Sequence, residues 1–327
     1  MENLKRIDNK NEYILYMNPK LKELNTLRRL FWENVELFFK VSKDIDLLFI
    51  PGFSPSFIKF KKTIVVVHDL IGILFPQNLG WMSRFYWSKW LPFCVKKADI
   101  IVCDSYSTKR DCLRLLTINP DKLKVVYPGV DHSFFSRSFS SQEKKEVLRK
   151  FKIFSDYILF VGTIEPRKNL IRLLEAWRYI EQKYDILLVI AGKKDWGYKE
   201  VLSKIIKLNL KRVIFTDYIT EEEKLILYKN CQFFIYPSLY EGFGLPVLEA
   251  MASKKAVICS NVSSLPEITS DSALLVNPYK ESEILEALKL FIENKSLREE
   301  FSFKGYKRSL SFSWKKTALN LLEIFNF

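Results

Sequence analysis

Residues 236–252, which read YPSLYEGFGLPVLEAMA, contain two glutamates and two glycines that could take part in binding or catalysis. Glu241 stands directly before Gly242 and Gly244, and Glu249 follows them. The apolar run before this segment predicts a strand, and the proline suits the first turn of a helix, where a missing N–H costs nothing. Such a turn directs free backbone N–H groups at anions and hydroxyl-bearing ligands. The plainer alternative is a helix start whose acidic residues complement the helix dipole.

Glycine is scarce, with 10 residues in 327, so each one indicates an unusual backbone conformation or a close approach. Gly162 and Gly192 each end an apolar run, at the edge where open parallel sheets bind ligands. Gly162 opens the segment GTIEPRKNL, in which Arg167 and Lys168 combine two cations with a helix start. That combination suits a diphosphate. Taken alone, the segment could also be a solvated basic turn.

His68 is one of two histidines and follows the apolar run TIVVV. It is a candidate catalytic residue at a strand's carboxyl end, although a hydrogen-bonded core histidine would occupy the same place. The acidic triplet DID at 44–46 precedes its apolar run, so its carboxylates would lie at the wrong end of the strand for a D-x-D metal site. The five cysteines include no C-x-x-C pair, which argues against structural zinc and for reduced thiols. We predict no metal ligands.

The elements that must position these residues alternate between strands and helices. Unbroken apolar runs predict strands of parallel sheets covered on both faces: YILYM, DLLFI, TIVVVHD, DIIVCDS, LKVVYPG, YILFVGT, DILLVIAG, RVIFTD, CQFFIYP, KAVICS and SALLVNP. Apolar residues at 170, 173, 174 and 177 have the spacing of one helix face. This alternation predicts an α/β protein with doubly wound sheets.

Length and charge bound the remaining possibilities. A chain of 327 residues predicts about two domains, and the polar, strand-free stretch 134–156 is the predicted seam. We place the N-terminal domain at 1–150 and the second domain at 151–311. A net charge of +14 favours an anionic partner. No apolar run approaches the ~18 residues that span a bilayer, so we expect a soluble or peripheral, cytoplasmic protein.

The segment GTIEPRKNL, followed about 75 residues later by YPSLYEGFGLPVLEAMA, resembles the donor-binding half of the GT-B glycosyltransferases. It is most similar to the retaining family 4 group with its E-x7-E motif. Three shorter segments agree, VVVHDL (65–70), VVYPGVD (125–131) and SFSWKKTALNLLEIF (311–325). The resemblance covers roughly residue 45 to the end. It implies two Rossmann-like domains facing across a cleft, with a C-terminal helix of about 312–327 crossing back to the N-terminal domain.

The resemblance also implies a role for each candidate residue. Arg167 and Lys168 would hold the donor diphosphate and neutralise the leaving nucleoside diphosphate. Glu249 would bind the ribose hydroxyls, and Glu241 would bind hydroxyls of the transferred sugar. His68 would face that sugar near the reacting carbon. The other donor-binding positions implied are Gly162, Gly242, Phe243, Gly244 and Leu245.

The reaction implied is a retaining transfer of mannose or glucose to a glycan or lipid-linked acceptor. It needs no metal or other cofactor, because the two cations stabilise charge on the departing diphosphate. EPRKNL together with HDL resembles the family's mannosyltransferases, which favours GDP-mannose over UDP-glucose as the donor.

Two features depart from the family pattern. The first glycine is Gly52, so the family's first strand and glycine-rich loop are not recognised. We therefore expect a shortened N-terminal domain, which leaves a place for a partner or for self-association. Asp217 stands where the family commonly has glycine before a tyrosine, and we expect it to alter how the base is held.

The segment 81–99, WMSRFYWSKWLPFCVKKAD, interleaves aromatic and basic residues. This composition suits a surface lying on the anionic inner face of a membrane. Core packing of an amphipathic helix explains the same pattern as well. We expect Pro92 to interrupt any single helix there.

Two other functions remain open. A catalytically silent binding subunit would keep the donor-site architecture and need a partner to supply the missing glycine-rich loop. A nucleic-acid-binding protein would concentrate its lysines in a basic stripe, whereas the lysines here are spread along the chain. We therefore do not expect nucleic acid as a partner.

Overall fold

Two compact units make up the chain. The computed structural model describes residues 2–17, 28, 31–41, 44–52 and 62–326. The first unit is Met1–Gly129 together with Trp314–Phe327, and the second is Val130–Ser313.

The second unit begins before the seam that the sequence predicts. The helices His132–Ser136 and Ser141–Lys150 fall within it, although the predicted division near residue 150 places them in the N-terminal domain. The physical reason is packing, because Ser141–Lys150 lies against the helix Glu221–Asn230 of the same unit.

A four-stranded parallel sheet organises the first unit. Its strands, in spatial order, are β1 (Leu48–Ile50), β2 (Thr63–Val67), β3 (Ile100–Cys103) and β4 (Leu123–Val125). The α-helices described in this unit are Glu2–Ile7, Leu37–Lys40, Ile71–Leu74, Trp81–Phe85, Leu91–Lys97, Tyr106–Leu116 and Trp314–Phe325. Two π-helical turns, Trp32–Glu36 and Tyr86–Trp90, and two 3₁₀ turns, Pro76–Asn78 and Pro120–Lys122, complete it.

Both faces of the first sheet are covered. Val65 and Val67 point to a core that includes Leu91 and Val95 of the helix Leu91–Lys97. Alternate residues of the same strand, such as Ile64, point to the opposite face, which is packed by the C-terminal helix Trp314–Phe325. This helix is also tied to the unit by Thr317, whose hydroxyl donates to Tyr127 O at 2.7 Å.

A six-stranded parallel sheet organises the second unit. In spatial order its strands are β10 (Leu274–Val276), β9 (Val257–Ser260), β8 (Phe234–Tyr236), β5 (Tyr157–Val161), β6 (Leu187–Ala191) and β7 (Val213–Asp217). Its α-helices are His132–Ser136, Ser141–Lys150, Leu170–Lys183, Tyr198–Leu208, Glu221–Asn230, Leu245–Ala252, Leu265–Thr269, Glu281–Glu293 and Lys295–Ser309. Starting from β7, this is the 3-2-1-4-5-6 order of a Rossmann fold.

Ten of the eleven apolar runs contain strands where the sequence predicts them. The prediction for YILYM is wrong, because residues 13–17 belong to neither sheet. Ile14, Leu15 and Met17 are more than half exposed there, so the run does not supply the buried side chains of a central strand.

The predicted helix at 170–177 is confirmed as Leu170–Lys183. Its residues Leu170, Leu173, Leu174 and Trp177 are all buried.

Candidate active site

The two motifs meet at the switch point of the second sheet, where the chain order reverses between β5 and β8. Open α/β sheets bind ligands beyond the carboxyl ends of the strands at such a point. The 3₁₀ turn Pro166–Lys168 follows β5, and the turn that holds Glu241 follows β8. The loops are joined by their backbones, since Leu239 N–H donates to Arg167 O at 2.8 Å. Strand order thus unites motifs that are distant in sequence.

Two glycines of this edge occupy positions that disfavour a side chain. Gly244 precedes the helix Leu245–Ala252 with a φ of +109°, and a Cβ there would lie 2.6 Å from Leu265 Cδ2. Gly192 follows β6, and a Cβ there would lie 2.2 Å from Gly162 O. The loops after β5 and β6 therefore approach each other closely, and the turn after β8 lies against Leu265, which follows β9.

Hydroxyl groups hold the glutamate–glycine turn in place. Glu241 N–H donates to Ser263 Oγ at 2.9 Å. Ser264 Oγ lies 2.9 Å from Glu241 O and 2.6 Å from Phe243 O, so its hydroxyl ties down the carbonyl side of the turn. The Phe243 ring packs edge-on against Phe312, with centroids 5.9 Å apart. The turn is therefore preorganised, and ligand contacts through the amides of residues 242–245 stay a prediction.

Arg167, Lys168 and Glu241 form one buried cluster. Glu241 Oε1 lies 2.8 Å from Lys168 Nζ and 2.8 Å from Arg167 Nη1. Ser238 Oγ also donates to Glu241 Oε1 at 2.6 Å. Lys168 Nζ donates to the Tyr236 hydroxyl beneath it at 2.5 Å. The predicted diphosphate-binding cations and the predicted sugar-binding carboxylate are therefore in direct contact.

Arg167 has further contacts that orient its guanidinium group. Its Nη2 lies 2.5 Å from Glu165 Oε1, and its Nη1 donates to Tyr240 O at 2.6 Å. Its Nε–H is buried and has no acceptor within the part of the chain that the structure describes. A buried donor of this kind is expensive unless something satisfies it, and an anionic ligand would do so.

Burial and charge act in opposite directions on the pKa values of this cluster. Burial raises the pKa of Glu241, but the charges of Lys168 and Arg167 outweigh burial and hold that pKa at about 2. Burial lowers the pKa of Lys168 against the attraction of Glu241, and repulsion from Arg167 adds to the lowering. Glu241 is therefore an ionised acceptor throughout the neutral pH range.

Glu249 has a cation partner of its own. It lies one turn into the helix Leu245–Ala252, and its Oε1 is 2.9 Å from Lys224 Nζ. Its Oε2 accepts a hydrogen bond from the Tyr228 hydroxyl at 3.1 Å. Burial raises the pKa of Glu249, and Lys224 and Tyr228 oppose that rise. Both partners lie on the helix Glu221–Asn230, so this helix positions the predicted ribose-binding carboxylate.

His68 lies in the first unit, just after the carboxyl end of β2. Its Nδ1 is 2.7 Å from Asp104 Oδ2, and its Nε2 is 3.0 Å from Pro51 O. The hydrogen bond to Asp104 raises the pKa of His68, against the effect of burial. Both ring nitrogens face acceptors, so the doubly protonated ring satisfies both contacts. The predicted contact of His68 with a sugar stays a prediction.

Several of these partners were not identified from the sequence. Asp104 could have been identified, because it directly follows the apolar residues of the run DIIVCDS, at a strand's carboxyl end, as His68 does after β2. Lys224 and Tyr236 could not, since a lysine in an acidic helix and a tyrosine in a buried strand have many ordinary explanations. Their contacts depend on how elements pack.

Residues 81–97 form a helical run whose aromatic residues divide between two faces. The π turn Tyr86–Trp90 joins the helices Trp81–Phe85 and Leu91–Lys97. The helical backbone continues through Pro92, which lies in the first turn of Leu91–Lys97, directly after the π turn. Trp87 packs against the core of the first unit. Trp81, Phe85 and Phe93 are 79, 58 and 50% exposed, so core packing does not account for them.

Two kinds of feature are absent from the residues that the structure describes. No helix in that part of the chain is both long and apolar enough to cross a membrane. No group of three or more His, Cys, Asp or Glu side chains comes together there as a metal site.

Family models match both halves of the chain. The model described as "Glycosyl transferases group 1" matches residues 142–308, and the one described as "Glycosyltransferase Family 4" matches residues 8–134. The first match contains both motifs of the site, and the second contains His68.

Curated relatives carry mannosyltransferase names. The serotype-specific mannosyltransferase WbdA of Escherichia coli is 30% identical over 277 residues, which are 81% of this chain and 33% of WbdA. The O-antigen chain mannosyltransferase B of E. coli is 29% identical over 262 residues, which are 79% of this chain and 68% of the relative. The chain thus spans about a third of the length of WbdA.

Solved structures match over most of the chain. A glycosyltransferase from Rickettsia africae has a TM-score of 0.74 at 18% identity, covering 95% of this chain and 83% of its own. Anabaena HepE, in complex with UDP and glucose, has a TM-score of 0.74 at 16% identity, covering 89% of this chain and 81% of its own. These likenesses show the fold and confirm the GT-B prediction of two Rossmann-like parallel-sheet units.

Proposed function

The chain belongs to the group 1 glycosyl transferases, and on that premise we propose that it transfers a hexose from a nucleotide-diphosphate sugar, with retention of configuration. The observation that carries the proposal is a pair of cations at the switch point of the second sheet, the buried Lys168 and Arg167, whose side chain is 14% exposed. Both pair with Glu241. A diphosphate entering there would take over their hydrogen bonds, and the freed carboxylate would accept those of sugar hydroxyls.

The remaining residues extend the site along the donor. Glu249, one turn into its helix, would accept hydrogen bonds from the ribose hydroxyls while Lys224 and Tyr228 hold it in place. The backbone of residues 242–245 would contact the phosphates and sugar at the helix start. We retain His68 as the proposed contact to the transferred sugar near its reacting carbon.

The proposed step breaks the bond between the sugar C1 and the phosphate oxygen while the acceptor hydroxyl attacks the same face. The acceptor proton passes to the departing phosphate, so the products are the glycoside and the nucleoside diphosphate. Arg167 and Lys168 would stabilise the charge that develops on the leaving group. Preorganised charge of this kind is usually the largest catalytic contribution, and in this proposal it takes the place of a metal ion.

GDP-mannose is the proposed donor, so mannose is the proposed transferred sugar. UDP-glucose is the second candidate donor. Mannosyltransferase relatives support the first, and a structural neighbour holding UDP and glucose supports the second. The proposed acceptor is a surface-polysaccharide or lipid-linked glycan. An acceptor at a membrane would suit the exposed aromatic residues Trp81, Phe85 and Phe93, the last of which has Lys97 beside its ring, and would place the protein on the inner face of that membrane.

A catalytically silent binding subunit is the alternative function. The sequence feature that favours it is the unrecognised glycine-rich loop. It predicts nucleotide binding without turnover, and copurification of a second chain.

A thermal-shift titration with GDP-mannose, UDP-glucose, UDP-N-acetylglucosamine and their free diphosphates tests the donor site. The Arg167→Ala/Lys168→Ala variant is compared with the wild type. Lys144→Ala/Lys145→Ala is the matched control, because it removes two adjacent lysines from the helix Ser141–Lys150 in the same unit.

We expect the nucleotides of one base to stabilise the wild type and the control but not the Arg167→Ala/Lys168→Ala variant. Release of nucleoside diphosphate in the presence of acceptor would then separate an enzyme from a silent subunit. If no nucleotide stabilises the wild type, the proposed donor site is wrong.

A further inference from the structure

Asp217 ends β7 in a conformation that few non-glycine residues adopt. Its φ is +58°, in the left-handed region that is strained outside glycine and is tolerated best by Asn and Asp. The pairing of β6 with β7 also shifts there, because Ile190 pairs with Phe215 and Ala191 with Asp217, so that Thr216 is passed over. Bulges of this kind redirect a side chain and occur next to active sites.

Lys194 is the partner of this carboxylate. Its Nζ lies 2.8 Å from Asp217 Oδ1 and 2.9 Å from Oδ2. Both side chains remain about half exposed, at 54% for Asp217 and 41% for Lys194, so the pair is open to a ligand. The backbone fixes it as well, since Gly192 N–H donates to Asp217 O at 3.2 Å.

The pair lies at the same sheet edge as the proposed donor site. Lys194 follows β6, and it forms a bridge with Ile164 in the loop that leads to Arg167. Asp217 opens the connection to the helix Glu221–Asn230, whose Lys224 contacts Glu249. In the proposed function, a nucleotide with its diphosphate at Arg167 and its ribose at Glu249 would extend its base toward this connection.

Guanine presents the functional groups that this pair complements. Its N1–H and N2–H are parallel donors for a carboxylate, and its O6 beside them is an acceptor for an ammonium group. Uracil offers one N–H between two carbonyl oxygens, and those oxygens repel a carboxylate. Tyr218, the next residue, is 78% exposed and offers an aromatic face for stacking a base.

We propose that Asp217, held with Lys194, selects guanine as the base of the donor nucleotide. The inference rests on the proposed function and narrows it to guanosine diphosphate sugars. It also accounts for an aspartate at this strained position, because Asp supplies a carboxylate while still adopting the left-handed conformation.

Calorimetric titration with GDP, IDP, XDP and UDP tests this assignment in the wild type and in Asp217→Asn. Inosine lacks the 2-amino group, and xanthine carries a carbonyl oxygen in its place. Asparagine keeps the size and the left-handed tolerance of aspartate, but its amide offers N–H donors to that carbonyl.

We expect the wild type to bind GDP at least about tenfold more tightly than UDP or XDP, the discrimination typical of a good bidentate contact. Binding of IDP should lie between these. Asp217→Asn should lose the preference for GDP and gain affinity for XDP. If that variant folds poorly, Asp217→Gly relieves the backbone strain and should lose the preference for GDP without gaining XDP.

The matched control is Asp185→Asn, which changes another exposed aspartate that pairs with an arginine, Arg212, at the start of β6 rather than its end. It should leave the order of affinities unchanged. Equal binding of GDP and UDP by the wild type, or an unchanged GDP preference in Asp217→Asn, would overturn the base assignment and leave the donor site standing. Binding of no diphosphate by the wild type would instead overturn the donor site itself.

Discussion

Lys168 Nζ lies 2.8 Å from Glu241 Oε1, and both residues are less than a tenth exposed. Two charges are rarely removed from water in this way unless each satisfies the other, because desolvation costs several kcal/mol per ion. Arg167 shares the same carboxylate oxygen. The cluster therefore holds two cations around one carboxylate oxygen, and in the proposed function a diphosphate would replace the carboxylate as their partner.

Glu241→Gln should lower the free energy of unfolding by about 3 kcal/mol at neutral pH, because the buried Lys168 loses its anionic partner and Arg167 keeps only Glu165. The effect has a defined pH dependence. The pKa of Glu241 is about 2 in the folded protein and ordinarily 4.5, so its stabilising contribution is present above about pH 4.5 and is lost as the pH falls toward about 2. Urea denaturation of both proteins across this window measures the difference.

The matched control for this prediction is Glu286→Gln, on the exposed face of the helix Glu281–Glu293. It should change stability by less than about 0.5 kcal/mol at every pH. A deficit in Glu241→Gln that stays constant as the pH falls would show that its cause is packing rather than charge.

The strand runs and the two motif loops of the second unit could be predicted from the sequence. Each strand is an unbroken apolar run, and each loop combines residue types that an ordinary turn does not need, such as the glycines flanking Phe243. Residues 13–17 are also an unbroken apolar run, but they form no strand, because a strand needs a neighbouring strand that pairs with it and elements that bury it. The residue types of the run alone do not show whether such neighbours exist.

The partners within the site could not be predicted. Lys224 meets Glu249 only because the helix carrying the lysine packs beside the helix Leu245–Ala252. His68 meets Asp104 only because β2 and β3 are adjacent. The domain boundary was misplaced for a similar reason, since the charged helix Ser141–Lys150 looks like a linker until its packing is seen.

Lys224→Met should weaken nucleotide binding about tenfold at neutral pH, the loss expected when a hydrogen bond to a charged group is removed. Burial already raises the pKa of Glu249, and Glu221 acts in the same direction, whereas Lys224 and Tyr228 lower it. Without the lysine, that pKa rises further. The loss of nucleotide binding on acidification should therefore begin at a higher pH in the variant, as measured by titration calorimetry across pH.

Two further variants separate this effect from simple loss of a positive charge. Lys224→Arg restores a cation and should restore the wild-type pH profile. Lys183→Met removes a lysine that pairs with Glu293 on the surface, and it should leave binding unchanged. An unshifted pH profile in Lys224→Met would mean that the lysine does not control the ionisation of Glu249.

Asp104→Asn should lower the pKa of His68. The hydrogen bond to the Asp104 carboxylate is the largest cause that raises this pKa above 6.5, and without it the lowering effect of burial is no longer balanced. NMR titration of the imidazole resonances measures the change, with His68→Gln as the assignment control. In the wild type the raised pKa contributes stability that is present below about pH 6.5 and is lost as the pH rises through the folded pKa. His68 is 41% exposed, so solvent screening limits this to less than about 1 kcal/mol.

The stability difference between Asp104→Asn and the wild type should accordingly be largest at acidic pH and shrink as the pH rises. If the His68 resonances titrate identically in the two proteins, the contact with Asp104 does not control the charge of this ring.

Vesicles containing anionic lipid should bind the wild type, and those of neutral lipid should bind it much less. Trp81, Phe85 and Phe93 would enter the interface, while Lys96 and Lys97 meet the charged headgroups. Each such lysine contributes about 1 kcal/mol near an anionic surface, so Lys96→Glu/Lys97→Glu should reduce binding at least tenfold. Co-sedimentation at low and high salt measures the loss, and screening should weaken wild-type binding as the salt rises.

The control for net charge is Lys144→Glu/Lys145→Glu, which makes the same change on the second unit. If it weakens vesicle binding as much as Lys96→Glu/Lys97→Glu does, the protein's overall positive charge causes the binding, and the helical run 81–97 has no special role. Trp81→Ala adds an independent test, because it removes an exposed apolar side chain without changing charge. Weaker vesicle binding by this variant would place the aromatic face at the lipid, since a purely electrostatic attraction does not depend on that side chain.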